Sequence, residues 1–223
     1  MIGQPMRIAL FDLDETLLEA DSDLEWSELL AAEGAMDRDL ARDFHEQYHA
    51  GALDIDAFLR FQLAPLAREP MERLLAWRTR FVSECIRPRL SSAGRDRLRE
   101  HRDRGHELAL ITATNTFLAE PIAHELGIEH VLATRPELAS GRFTGRVDGM
   151  PCFREGKVGH LDAWLAARSI RADEIEESWF YSDSHNDLPL LERVHHPIAV
   201  DADPTLLAHA RERGWKRERW RTR

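Results

Sequence analysis

Two aspartates spaced two apart, Asp12 and Asp14, close a short apolar run in Ile8-Ala9-Leu10-Phe11-Asp12-Leu13-Asp14-Glu15-Thr16-Leu17-Leu18. In an extended strand the side chains at i and i+2 share a face. Where the strand ends and the chain turns, one carboxylate can aim at a reacting centre while its neighbour takes another role. Carboxylates placed this way can hold a hard cation or attack phosphorus. The same spacing suits a plain polar turn, with Asp14 or Thr16 as a cap. Two further clusters weigh against the plain turn. Thr112-Ala113-Thr114-Asn115 and Ser182-Asp183-Ser184-His185-Asn186-Asp187 also sit at the ends of strand-like segments. Sites in open α/β sheets form at the carboxyl ends of strands, so three such clusters point to one site.

The elements that must position these clusters follow from the apolar pattern. Arg7 to Asp12 reads as a buried strand. From Leu24 to Ala67 the pattern is helical, with Leu24, Leu29 and Leu30 on one helix and Leu53, Phe58, Leu59, Phe61 and Leu63 on another. Met71 to Ile86 reads as a further helix, and Pro65, Pro70 and Pro88 punctuate the region. No strand signal falls between Ser22 and Ile86. After Pro88 helix and strand alternate: helix Ser91–Arg104 ended by Gly105, strand Glu107–Thr112, helix Thr116–Leu126 ended by Gly127 with Pro121 near its start, and strand Val131–Thr134. Gly141, Gly145 and Gly149 flank a hairpin. Helix Lys157–Arg168, strand Trp179–Ser182, short helix Asp187–Glu192 and a last strand Ile198–Val200 complete the order, with His195-His196-Pro197 in the loop before that strand. This alternation predicts an α/β fold, a doubly wound parallel (Rossmann-like) sheet with a helical cap inserted after the first strand. The expected core is 1–19 with 88–223, and the expected cap is 20–87. Arg211 to Arg223, basic with Trp215 and Trp220, reads as a solvated helix end that packs its tryptophans.

Composition narrows the class. With 223 residues and a formal net charge of -10, non-specific nucleic-acid binding is disfavoured. Cys85 and Cys152 set up neither a disulfide framework nor paired metal-ligand spacing. Met1 to Arg7 carries no basic segment followed by a long apolar stretch, and no apolar run reaches bilayer length. A cytoplasmic protein with no membrane partner is expected. The oligomeric state is not legible.

Taken together, the clusters resemble the haloacid dehalogenase-like hydrolase superfamily, in its phosphoserine phosphatase-like branch. Asp12-Leu13-Asp14-Glu15-Thr16 is similar to the first motif, and Thr112, ending Leu110-Ile111-Thr112, to the second. Lys157 in Arg154-Glu155-Gly156-Lys157 is similar to the third, and Asp183 with Asp187 to the fourth. The resemblance implies that Asp12 is a nucleophile forming an aspartyl-phosphate, which splits one displacement into two. Asp14 would be the general acid and base, and its main-chain carbonyl would join Asp12 and Asp183 in holding Mg²⁺. Thr112, the N–H of Ala113 and Lys157 would grip phosphoryl oxygens, Ala113 where a helix begins. Asp187 would orient Lys157 or a metal-bound water. Asn186 matches a phosphate-contacting position and equally suits a helix cap. Glu15, Ser182 and Ser184-His185 depart from the branch's small or glycine residues.

The helical segment lies where this branch carries a cap that closes over the site and reads the leaving group. Asp21 and Asp23 are candidates for meeting a substrate ammonium, and each also suits an N-cap. Arg60 is a candidate for a substrate carboxylate, against a plain surface charge, and His185 for a further substrate contact. The implied function is a Mg²⁺-dependent phosphomonoester hydrolase acting on a small, amino-bearing ester of phosphoserine or histidinol phosphate type. Alternatives are phosphotransfer to an alcohol acceptor and a non-catalytic phosphate-binding regulatory protein.

Overall fold

A computed structural model describes residues 6–221, so the outermost residues of the expected core segments, 1–5 and 222–223, lie outside the described residues. Six strands form one parallel sheet: β1 (Met6–Phe11), β2 (Glu107–Asn115), β3 (His130–Thr134), β6 (Ile175–Ser182), β7 (His196–Val200) and β8 (Lys216–Glu218). Their spatial order is β3-β2-β1-β6-β7-β8. A separate antiparallel hairpin pairs β4 (Pro136–Ala139) with β5 (Arg142–Val147).

Both faces of the sheet are covered, and the strands show why. Ala9, Phe11 and Leu110 point to one face, while Ile8, Leu10, Ala109 and Ile111 point to the other. A parallel strand buried on two sides therefore reads as an unbroken apolar run, with the alternation visible only in which core each residue joins. On the second face lie α7 (Glu155–Ala167), α8 (Leu188–Leu191) and α9 (Pro204–Glu212), through Leu161, Leu165, Leu190, Leu206 and Ala210. On the first lie α5 (Ser92–Asp103) and α6 (Thr116–Leu126).

The segment between β1 and α5 is helical throughout: α1 (Ser22–Ala32), α2 (Arg38–His49), α3 (Ile55–Arg68), α4 (Met71–Phe81) and a π-type turn at Val82–Ile86. Aspartates start three of these helices. Asp21 accepts from the Leu24 N–H, Asp37 from Asp39 and Leu40, and Asp54 from Asp56 and Ala57, so each caps donors that a helix start leaves free. Trp26, Leu30, Leu63, Leu74 and Phe81 from these helices join the same core as Phe11 and Phe117. Pro121 lies inside α6 rather than near its start and has no N–H to give the Phe117 carbonyl. Arg78 of α4 supplies the missing donor at 3.1 Å, which ties the inserted helices to the sheet layer.

Several elements differ from the sequence expectation. Between Leu24 and Ala67 there are three helices, not two, because α2 is strongly polar overall and buries only Ala41 and Phe44, so few apolar residues mark it. The Met71–Ile86 helix changes to the π-type turn after Phe81. β2 runs on to Asn115, and His196 opens β7 instead of lying in a loop. The largest correction is at the C-terminus. α9 ends at Glu212, and Lys216–Glu218 forms a sixth strand beside β7. Three charged residues on a sheet edge carry no strand signal, since edge strands often carry charge. Trp220 packs against the first core, its ring tilted by 34° to that of Tyr181 at 5.6 Å between centroids.

Candidate active site

Adjacent strands in the middle of the sheet deliver the three polar clusters to one place. β1 lies between β2 and β6, so Asp12, Thr112 and Asp183 emerge side by side at the carboxyl edge. Beyond Asp14 the chain turns through Glu15, a non-glycine residue with φ 58°. Arg221 fixes that turn by donating to the Glu15 carbonyl at 2.7 Å and pairing with its carboxylate. The basic C-terminus therefore clamps the loop of the first motif, a role absent from the sequence reading.

Lys157 is the third residue of α7 and is buried. Its ammonium lies 2.7 Å from an Asp12 oxygen and 2.7 Å from an Asp187 oxygen. The Ser182 hydroxyl donates to that same Asp187 oxygen at 2.7 Å, so Asp187 is built to hold Lys157. The two carboxylates keep Lys157 protonated despite its burial. Burial pushes Asp12 up to about 7 against the pull of Lys157, with Asp187 adding repulsion. Asp14 is raised well above the usual carboxylate range, by burial first and then by Asp21, Asp23 and Asp12. Its two oxygens are oriented separately. One accepts from the Ser22 N–H at 2.6 Å, and the other from the Thr114 hydroxyl at 2.8 Å.

Asp183 is raised well above its ordinary range by burial and by the nearby Asp12, Asp187 and Glu15. Thr16 donates to it at 3.1 Å. Asp12 and Asp187 share one ammonium, and Asp14 and Asp183 lie near enough to feel the charge of Asp12 without an ammonium of their own. Such a group of hard oxygen donors fits a divalent cation that offsets the repulsion. Among the described residues no three His, Cys, Asp or Glu side chains converge on a metal position. Asp12 and Asp183, close enough to raise the Asp183 pKa, are oxygen donors of the kind such a cation takes.

One pocket is lined by Asp12, Asp14, Thr112, Ala113, Lys157, Asp183 and Asp187 and continues under the inserted helices past Asp21 and Asp23. Ala113 lies in the end of β2, and α6 starts three residues later at Thr116, so its N–H is not a helix-start donor as expected. The structure keeps three sequence candidates out of the lining. Asn186 is buried, with its carbonyl accepting from Arg154 at 3.0 Å and its amide donating to Ser184. Its side chain holds the fourth-motif loop. Arg60 is exposed on α3. His185 is turned to Asp203, 2.9 Å from its Nδ1. Thr114, Ser22, Thr16 and Ser182 are contributors without a role assigned from sequence. Thr114 was legible, since it shares the face of Thr112 by strand alternation, whereas Ser22 is brought in by the fold.

Residues 9–192 match the family model described as haloacid dehalogenase-like hydrolase. The chain is 41% identical over 213 residues to a histidinol-phosphatase of Neisseria meningitidis serogroup C, covering 93% of this chain and 96% of that one. It is 33% identical over 215 residues to a phosphoserine phosphatase of Mycobacterium tuberculosis, covering 93% and 69%. A crystal structure of a Bordetella pertussis protein of unknown function superposes with a TM-score of 0.90 at 44% identity, covering 96% of this chain and 99% of that one. The chain belongs to the haloacid dehalogenase-like hydrolases, and its activity is that of a phosphatase.

Proposed function

We propose that this protein is a Mg²⁺-dependent phosphomonoester hydrolase working through an aspartyl-phosphate on Asp12. The substrate is a small, amino-bearing ester of phosphoserine or histidinol phosphate type. The observation that carries the reading is the pairing of Asp12, bonded to Lys157 at 2.7 Å, with Asp14, whose oxygens are held by Ser22 and Thr114. The Asp12 carboxylate attacks phosphorus and the ester oxygen leaves. Asp14, biased toward its protonated form, gives that oxygen its proton, then takes one from the water that cleaves the acyl phosphate. A phosphate-binding module has no use for such a second carboxylate beside the first.

Thr112, the Ala113 N–H and Lys157 hold the phosphoryl oxygens, and Asp187 with Ser182 fixes Lys157. Asp12, Asp183 and the Asp14 carbonyl would hold the Mg²⁺, which supplies charge neutralisation when bound. Among the described residues no helix is long and apolar enough to cross a membrane, and the reading places the reaction in the cytoplasm.

The test is a Mg²⁺-supplemented panel of phosphate esters, run with Asp12→Asn and Asp14→Asn. Asp12→Asn is expected to abolish turnover in a folded protein. Asp14→Asn is expected to lose roughly 10²–10⁴-fold and to accumulate phosphorylated enzyme. Turnover by Asp12→Asn within a few fold of wild type would refute the nucleophile.

A further inference from the structure

The reaction uses one end of the pocket. The other end, under the inserted helices, is walled by the start of α1 and by α2 and α3, and its polar groups are unevenly satisfied. Asp21 is spent: one oxygen accepts from the Leu24 N–H at 2.8 Å and the other bonds to His45 Nδ1 at 3.0 Å. Asp23 is different. Its Oδ1 is shut off from solvent and has no hydrogen-bond partner among the described residues, while the residue lines the pocket. Its main chain is fixed, because its carbonyl accepts from the Ser27 hydroxyl at 2.7 Å and from the Gln62 amide at 3.1 Å. A buried carboxylate oxygen without a partner is costly. In a binding pocket it marks a place where the ligand completes the pairing.

The same wall commits its donors to protein partners rather than to a substrate carboxylate. Of the described Lys and Arg residues, only Lys157 lines the pocket, and it is bonded to Asp12 and Asp187 at the phosphate end. Gln62 spends its two N–H groups on the Asp23 carbonyl and, at 3.2 Å, on the Ser27 hydroxyl. His45 faces Asp21 through one nitrogen and His49 through the other. Phe44, Phe58, Leu53 and Ile55 form the apolar part of the wall, and the Tyr48 hydroxyl beside them donates to Ser184 at 3.2 Å.

We propose that Asp23 is the specificity-determining residue that pairs with a cationic leaving group. The pocket then takes amino-alcohol phosphates that carry an apolar or flat ring body and no carboxylate. This rests on the phosphomonoesterase reading and narrows its substrate class. A leaving-group carboxylate would be desolvated beside Asp21 and Asp23, and the cationic side chain on that wall, His45, is already paired with Asp21. A ring would lie against Phe44 and Phe58.

The test compares kcat/KM for esters that differ by one feature. O-phosphoethanolamine against ethyl phosphate isolates the ammonium. O-phosphoserine against O-phosphoethanolamine isolates the carboxylate. Phenylalaninol phosphate and histidinol phosphate against O-phosphoethanolamine isolate the ring, and p-nitrophenyl phosphate reports the chemistry alone. The ammonium and the ring are each expected to raise kcat/KM by about tenfold or more, and the carboxylate to lower it by about tenfold or more. In Asp23→Asn, with its fold checked by circular dichroism, the ratio between O-phosphoethanolamine and ethyl phosphate should fall by about tenfold. Preference for O-phosphoserine in the wild type, or an undiminished ammonium preference in Asp23→Asn, overturns the proposal. If p-nitrophenyl phosphate is cleaved without any ammonium preference, the specificity inference alone falls. If every ester is inert, the phosphatase reading falls with it.

Discussion

At the scale of single residues the site consists of carboxylates whose neighbours set their protonation. Asp12 and Asp14 are two residues apart in sequence, yet one faces an ammonium and the other faces further acids. Separate environments push such pairs into separate roles. Asp23 shows the cost. Burial and then Asp21 raise it to about 8 in the folded protein, from 3.8 when unperturbed. Between these values the folded state binds more protons than the unfolded state, so this residue's contribution to stability falls as pH rises through that window. Above pH 8 the full penalty is present. Asp23→Asn is therefore expected to melt higher than wild type, with the gap wider at pH 9 than at pH 5. Differential scanning calorimetry at both values measures it, and a gap that narrows with pH would contradict the assignment.

At the scale of elements, α7 must deliver Lys157 to the sheet edge. Its start is set by close contact with the preceding loop. Arg154 takes φ 50° and ψ -120° and reaches both Asn186 and the Gly51 carbonyl, at 3.0 Å each. Gly156 follows, and a Cβ there would run into the Pro151 main-chain carbonyl. That obstacle is backbone and cannot rotate away, so Gly156→Ala must shift the first turn of α7 and Lys157 with it. The expected result is a loss of roughly 1–3 kcal/mol of stability with a drop in kcat/KM of about 10²-fold, the size set by misplacing a positioning group. Denaturant unfolding and steady-state kinetics on one preparation check both. Normal kinetics in Gly156→Ala would show that the helix start has slack.

At the scale of the molecule, a chain of net charge -10 gathers Asp14, Asp183 and Asp187 near Asp12, with Lys157 bonded to two of the four. A cation that binds the folded state alone adds about 2.7 kcal/mol at a hundred times its dissociation constant. For a chain of this size that corresponds to a rise in Tm of about 5–10 °C. Mg²⁺ is expected to produce such a rise and EDTA to reverse it. In Asp183→Asn most of the increment should disappear, because a carboxylate ligand is gone. A melting temperature indifferent to Mg²⁺ in wild type would remove the metal from the reading.

The sequence by itself determined the parallel α/β order, the all-helical segment after β1, and the clusters around Asp12, Thr112, Lys157 and Asp183. These are legible because apolar runs with polar ends repeat at strand spacing, and because strand ends are where such sheets bind ligands. Helix starts were legible at Asp21 for the same local reason, since a cap acts within one turn. The tertiary structure decided which candidates meet. Asn186, Arg60 and His185 are turned away by partners or by solvent, while Thr114, Ser22 and Ser182 are turned in. It alone separated Asp21, whose oxygens are both used, from Asp23, whose Oδ1 is not. It alone also placed Arg221 on Glu15, 206 residues away along the chain. Spacing along a chain fixes which face a residue takes on its own element; which residue from another element fills the space opposite depends on packing between elements, and no local pattern carries that.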